Sequence, residues 1–142
     1  MPAPTTTIPT LVSTTVMADD VPGAVAFYVE QFGFAVRLDI GWFVTLHHDE
    51  RPYEMCVVER GHDSVPEAFR TAPAGVIVGF LVDDVDAVVE RLVAAGTTIV
   101  EPTRDEPWGQ RHCYVTDPAG TLIDVVQLTQ PDPAWLAANG LG

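Results

Sequence analysis

Asp19-Asp20-Val21 returns 64 residues later as Asp83-Asp84-Val85. The chain around both copies runs in one order: a β-rich run, the acidic pair, an amphipathic stretch, a glycine, then further β-rich runs. The first copy follows β-branched residues over 10–16 and the second an apolar run over 76–82, each with the length and composition of a strand. The acid before the valine reads as a helix N-cap, because its carboxylate accepts an amide proton that the first helical turn leaves unpaired. After Asp20, apolar side chains recur at Val21, Val25, Tyr28 and Phe32, and Gly33 supplies a left-handed cap. After Asp84 the stripe is Val85, Val88 and Leu92, closed by Gly96.

Three β-like runs follow the first predicted helix, at 35–40, 42–47 and 53–59, punctuated by Gly41 and by the polar turn His48-Asp49-Glu50-Arg51-Pro52. Three follow the second, at 97–101, 111–116 and 121–128, the last two joined by Asp117-Pro118-Ala119-Gly120, a type I turn sequence. The pattern predicts an internal duplication: an α+β chain of two tandem βαβββ modules. Module one takes residues 8–59, a connector with Pro66, Pro73 and one helical turn at 67–70 takes 60–74, module two takes 75–130, and a tail takes 131–142. One helix covers one face of each sheet, which leaves the other face for a partner or ligand.

At 142 residues the chain suits one domain. With 47% apolar and 19% charged residues it has enough apolar surface to fold, which excludes general disorder. A net charge of -13 repels phosphate backbones and anionic headgroups, so nucleic acid and membrane are excluded as partners, while neutral or cationic small molecules are not. Cys56 and Cys113 lie far apart in apolar runs, form no C-x-x-C, and are expected as free, buried thiols. Residues 1–9 contain no basic residue and no long apolar run, so neither a signal peptide nor an anchor is expected there, and the expected compartment is the cytoplasm.

Asp20-Val21 through Ala26-Phe27-Tyr28, Gly33-Phe34, Val82-Asp83-Asp84-Val85-Asp86, Pro107-Trp108-Gly109, and Asp117-Pro118-Ala119-Gly120 leading into Leu122-Ile123-Asp124 carry a resemblance that spans nearly the whole chain. Together they resemble the vicinal oxygen chelate superfamily, which contains glyoxalase I, extradiol dioxygenases, fosfomycin-resistance enzymes and bleomycin-resistance binding proteins. The resemblance implies paired βαβββ modules whose curved sheets enclose a cleft, often completed by a second subunit. It also implies that metal-using members carry ligands on the first and last strand of each module. Aligned on that framework, Ser13 and Ile77 stand at the first-strand positions, with Glu54 and Asp124 nearest on the last strands. Ile77 has no lone pair and a hydroxyl such as Ser13 is a poor ligand, so neither a bound metal nor any other cofactor is expected.

Asp124 shares a strand face with Leu122 and Val126, where an unpaired carboxylate is costly to desolvate. It reads equally as a ligand-binding acid or as a carboxylate bonded to a neighbouring strand, and Glu54, beside Cys56 and Val58, has the same two readings. His112 and Tyr114 share one strand face and offer a base, a donor or a stacking partner. Trp42 and Trp108 read as stacking platforms for an aromatic ligand or as packing residues. Trp135 and Leu136, on a proline-started helical turn in the tail, need cover, which a second subunit would supply. No nucleophile and base can be assembled from spacing, so no catalytic residue is assigned.

The expected function is that of a homodimeric, metal-free binding protein resembling the bleomycin-resistance branch, which sequesters a partly aromatic and basic natural product. Trp108, Trp42, His112, Asp124, Glu54, Ser13 and Tyr114 would contact the ligand. The alternative is a lyase, isomerase or oxygenase with a relocated metal site or with an acid/base pair such as Asp124 and His112.

Overall fold

The computed structural model describes residues 2–3 and 7–142. Strand β1 (Thr14–Ala18) leads into helix α1 (Val21–Phe32) and then β2 (Ala35–Asp39), β3 (Phe43–His47) and β4 (Glu54–Glu59). A short 3-10 turn (Glu67–Phe69) lies in the connector. The same series follows as β5 (Val78–Leu81), α2 (Val85–Ala94), β6 (Ile99–Glu106), β7 (Gln110–Thr116) and β8 (Leu122–Leu128), with α3 (Pro133–Ala138) at the end. The strands form two mixed sheets, ordered β1-β4-β3-β2 and β5-β8-β7-β6. In each sheet the first strand runs parallel to the last and the other pairs are antiparallel. This is the α+β arrangement that the repeat predicts, with open, curved sheets.

Both acidic pairs do what their position requires. Asp20 Oδ1 accepts the Gly23 amide at 3.0 Å and Asp84 Oδ1 accepts the Ala87 amide at 3.1 Å, caps of about 1 kcal/mol each. Gly33 closes α1 in the left-handed region at φ 73°.

The first strand starts at Thr14 rather than at residue 10, because its parallel partner β4 starts at Glu54 and Thr14 lies opposite Met55. Residues further back have no ladder to join. The same limit starts β5 at Val78, opposite Ile123. Ile40 and Trp42 fall outside β2 and β3, where Asp39 accepts the Gly41 amide and Ile40 bonds to Phe43 in a turn. In contrast, β6 runs on to Glu106, well past residue 101. Pro102 is tolerated because β6 is an edge strand and the register shifts between Glu101 and Arg104.

The residues of α1 that are buried are Val21, Ala24, Tyr28 and Gln31, so the inward stripe is turned from the predicted one. Val25 and Phe32 sit on its flank, half-buried. That rotation has a purpose in packing: Phe32 stacks on Phe80 of β5 with centroids 4.1 Å apart, joining the two modules. Val16, Leu46, Met55 and Val57 of the first sheet and Val85, Leu92, Val115, Ile123 and Val125 of the second half form one hydrophobic cluster.

A buried polar clasp crosses the same boundary. The Tyr28 hydroxyl donates to Asp117 Oδ2 at 2.7 Å, while Asp117 Oδ1 accepts the Ala119 and Thr121 amides of the β7–β8 turn at 2.9 and 2.8 Å. Burial, then the Asp117 charge, pushes the Tyr28 hydroxyl far above its ordinary range, so it stays a donor. Arg91 of α2 adds a second link by donating to the Gln31 backbone oxygen at 2.5 Å.

Because Asp117 is 3% exposed, removing the Tyr28 hydroxyl leaves its Oδ2 buried without a donor, while Oδ1 keeps the two turn amides. Tyr28→Phe is expected to cost about 1.5–3 kcal/mol in urea unfolding. Asp117→Ala is expected to cost more, since three donors then lose their acceptor.

Candidate functional site

Strand alternation divides each sheet into a helix-covered face and an open one. In the first, Val44, Leu46, Met55 and Val57 turn inward, which leaves Phe43, Thr45 and His47 of β3 and Glu54, Cys56 and Val58 of β4 on the open side. Thr15 and Met17 of β1 join them. In the second, Cys113, Val115, Ile123 and Val125 are buried, and His112, Tyr114, Leu122, Asp124 and Val126 share the open side with Gly79 and Leu81.

The parallel registers fix which positions correspond. Thr15 lies opposite Cys56 and Gly79 lies opposite Asp124, so Cys56, not Glu54, is the counterpart of Asp124. The pairing of Glu54 with Asp124 is therefore corrected. Module two is longer between its helix and last strand, with an eight-residue β6 against a five-residue β2, and no motif inside that region anchors an alignment. Glu54 instead accepts from Arg37 Nη1 at 3.0 Å at the start of β4.

Three of the candidate residues converge on the second open face. His112 Nδ1 donates to Asp124 Oδ1 at 2.8 Å, and the His112 and Tyr114 rings meet edge to face with centroids 5.2 Å apart. A fourth partner, Glu106, has no place in the sequence reading: His112 Nε2 donates to its Oε1 at 3.1 Å. Arg104 bonds Glu106 from the other side and Glu101 Oε2 at 2.7 Å. Charges therefore alternate in sign along Glu101, Arg104, Glu106, His112 and Asp124. Glu106 was hidden because the stretch around it reads as irregular; the usable signal is the alternation of Arg104 and Glu106 with Asp105, which fits a continuing strand.

Ionised carboxylates only accept hydrogen bonds, so an imidazole between two of them is held as the doubly protonated cation. Burial pushes the His112 pKa down, but the hydrogen bonds to Glu106 and Asp124 outweigh it and the net direction is up. Glu106 moves down, chiefly through its hydrogen bond from His112 and then that from Arg104. Tyr114 is pushed up by burial and by the Asp124 charge. With both ring nitrogens engaged by carboxylates, the His112 ring is held in place and its cationic form is favoured. Asp124 keeps its second oxygen, and Tyr114 its hydroxyl, for something else.

The first open face has a different character. Thr15, Met17, Phe43, Val58 and Trp42, with Val65 of the connector above them, line a cavity of about 510 Å3. Trp42 is covered on one face by His62, stacked at 3.6 Å and parallel within 1°, and His62 is fixed by the Ser64 amide and hydroxyl at 3.1 and 2.9 Å. Met17 and Val65 escaped the sequence reading because lone apolar residues carry no signal of a cavity.

Trp108 and Ser13 lie apart from both groups. Trp108 faces Trp135 of α3 at 6.1 Å and donates from Nε1 to Gln110 Oε1 at 2.9 Å. The chain's own hairpin thus supplies part of the cover that Trp135 needs. Gly109 is held at φ 100°, and a Cβ there would meet Pro131 and the Thr129 carbonyl at 2.9 Å. Ser13 is exposed and precedes β1.

The donors that the family framework would offer a metal do not suit one. Ser13 presents a hydroxyl, Ile77 a hydrocarbon, and burial pushes the Cys56 thiol up, away from the thiolate that binds metal. Asp124 is already engaged with His112. Among the described residues, no three His, Cys, Asp or Glu side chains are grouped to hold an ion. Cys56 and Cys113 are both free, but only Cys113 is buried as expected; Cys56 is half-buried because it points to the open face. No described helix is long and apolar enough to cross a membrane.

A family model for the Glyoxalase/Bleomycin resistance protein/Dioxygenase superfamily matches residues 10–125. An uncharacterized protein of Mycobacterium bovis is 30% identical over 118 residues, covering 73% of this chain and 74% of that protein. Among solved structures, a lactoylglutathione lyase from Agrobacterium tumefaciens aligns with TM-score 0.65 at 26% identity, over 84% of this chain and 94% of that one. TnmS3, an antibiotic binding protein from Streptomyces sp. CB03234, aligns with TM-score 0.68 at 24% identity, over 88% and 100%.

The His112 pairing makes a prediction in pH. Its folded pKa lies above the ordinary 6.5, so its contribution to stability is complete below 6.5 and is lost as pH rises through the folded value. The difference in unfolding free energy between wild type and His112→Gln is expected to shrink over that rise. The ring-proton NMR titration of His112 is expected to have its midpoint above 6.5.

Proposed function

Because the chain belongs to the glyoxalase/bleomycin resistance protein/dioxygenase superfamily, whose scaffold carries several chemistries, we propose that it binds a sizeable, partly aromatic organic molecule and sequesters it without metal or turnover. The observation that carries this reading is the pair of unlike open faces. One is an apolar cavity of about 510 Å3 beside Trp42, of a size to seat a drug-like ring system. The other presents Asp124 with a spare carboxylate oxygen beside Tyr114, acceptors for a basic or hydroxylated group. Thr45 Oγ1, across from Cys56 on the first open face, is buried with no hydrogen-bond partner among the described residues, an arrangement that a ligand would relieve.

In this proposal Trp42, His112, Tyr114 and Asp124 form the ligand contacts, with Trp108, Glu54 and Ser13 at the margin. A homodimer would bring a second copy over faces that still expose Ile77, Leu81 and Leu128. A toxic natural product held in this way would be removed from its target, and the likeness to an antibiotic binding protein supports that role. Two free thiols agree with a cytoplasmic setting.

A second reading, an enzyme using Asp124 and His112 as acid and base, draws support from their 2.8 Å contact and from the likeness to a lactoylglutathione lyase. It is disfavoured because His112 is committed at both nitrogens.

A thermal-shift screen of aromatic, basic antibiotics tests the proposal. A binder is expected to raise the melting temperature with no chemical change on prolonged incubation and no effect of EDTA. Trp42→Ala and Asp124→Asn are each expected to weaken it about tenfold or more, roughly the loss of one good contact. Turnover of the ligand, or full affinity in both variants, would defeat the sequestration reading.

A further inference from the structure

All seven basic side chains other than histidine are arginines, and five of them meet carboxylates: Arg37, Arg60, Arg70, Arg104 and Arg111. Among the described residues, Arg51 and Arg91 do not. In a chain with thirteen excess negative charges, two guanidiniums left without a carboxylate are unusual, and both line one groove between the modules. Arg91 borders a cavity of about 660 Å3 and Arg51 an adjoining one of about 610 Å3; the two share Tyr53, Leu81 and Val82.

The wall between the arginines is aromatic. Phe32 lies flat on Phe80, Phe34 meets Tyr53 edge to face at 5.0 Å, and the Tyr53 hydroxyl donates to the Phe32 carbonyl at 3.2 Å. Arg91 uses Nε and Nη2 on Gln31, a neutral partner, so its charge stays uncompensated and Nη1 stays free. His48 accepts the Glu50 amide at Nδ1, 3.0 Å, which keeps a ring proton on Nε2 as a further donor. Met55, Val78 and Phe80 reach this groove from the helix-covered faces, while Glu54, Gly79 and Leu81 border it from the open ones, so it opens at the edge where the two modules meet and shares no lining residue with the cavity beside Trp42. Glu54 at its edge is already paired with Arg37, while Glu30 and Asp83 at the rim disfavour a polyanion.

We propose that this inter-module groove is a second binding site, selective for an aromatic monocarboxylate. The ring lies along the Phe32, Phe80 and Tyr53 wall, the carboxylate pairs with Arg91, and Arg51 adds longer-range attraction. Its arginines and its aromatic wall take no part in the ligand contacts of the open-face reading, so failure of one reading is distinguishable from failure of the other by which amide signals move.

The test uses three probes that share one ring system: 1-naphthoate, neutral naphthalene and 1-naphthylmethylammonium, titrated calorimetrically into the full chain. Naphthoate is expected to bind at least tenfold more tightly than either of the others. It is expected to shift the backbone amide signals of Gly33, Tyr53, Phe80 and Leu81 in NMR while leaving those of Cys56 and Trp42 in place. Arg91→Gln is expected to weaken naphthoate tenfold or more and Arg51→Gln a few-fold. Since Arg91→Gln also removes the link to Gln31, Leu81→Asp, which places a like charge in the shared wall with both arginines intact, is expected to weaken it as well. Equal affinity for the anion and the cation, shifts confined to the open face, or unchanged affinity in Arg91→Gln and Leu81→Asp would overturn the proposal, as would no binding of naphthoate at all.

Discussion

One helix per four-stranded sheet is the constraint from which the rest of this molecule follows. A sheet has two faces and a helix hides only one, so each module is left with a face that must serve some other end. The helix-covered faces solve their own problem by merging into a common core, through the Phe32–Phe80 stack and the shared cluster of aliphatic side chains. The buried hydroxyl–carboxylate bond from Tyr28 to Asp117 then fixes how the modules meet, because a charged group with three donors around it has one arrangement in which it is satisfied.

The two open faces have diverged from their common plan. Where module two places Asp124, module one places Cys56; where module two lays a row of alternating charges across three strands, module one has Met17, Phe43 and Val58 under a flap of connector. The same backbone positions thus serve an apolar slot in one half and an ion-paired surface in the other. The ion-paired surface is also rigid, since each charged group from Arg104 to Asp124 is held by at least one oppositely charged neighbour.

The repeat made most of this fold legible from sequence. Asp20 and Asp84 announce both helices because capping depends on residues adjacent in the chain, and Gly33 does so for the same reason. Strand limits were less legible at residues 10–13 and 76–77, since a strand ends where its partner ends, and that partner lies about forty residues away. That His112 and Tyr114 share a face followed from period-two alternation, but their meeting with Asp124 rests on the β7–β8 register, which sets Tyr114 opposite Asp124. Glu106 was not legible, because its strand contains Pro102 and two register shifts that a linear reading takes for a loop. The equivalence of Cys56 with Asp124 needed the hydrogen-bond ladder itself. Arg51 and Arg91 were equally silent, since a missing partner is a property of space and not of sequence.

The C-terminal segment returns across the β6–β7 hairpin through main-chain bonds, Thr129 N–H to the Gly109 carbonyl at 2.9 Å and Asp132 N–H to the Pro107 carbonyl at 2.8 Å. Bonds of this kind do not depend on which side chains the segment carries. Genetic drift can rewrite most of that segment without loosening its hold, whereas a single codon change at Gly109 to any bulkier residue collides with Pro131 and forces the strap away from the hairpin it secures.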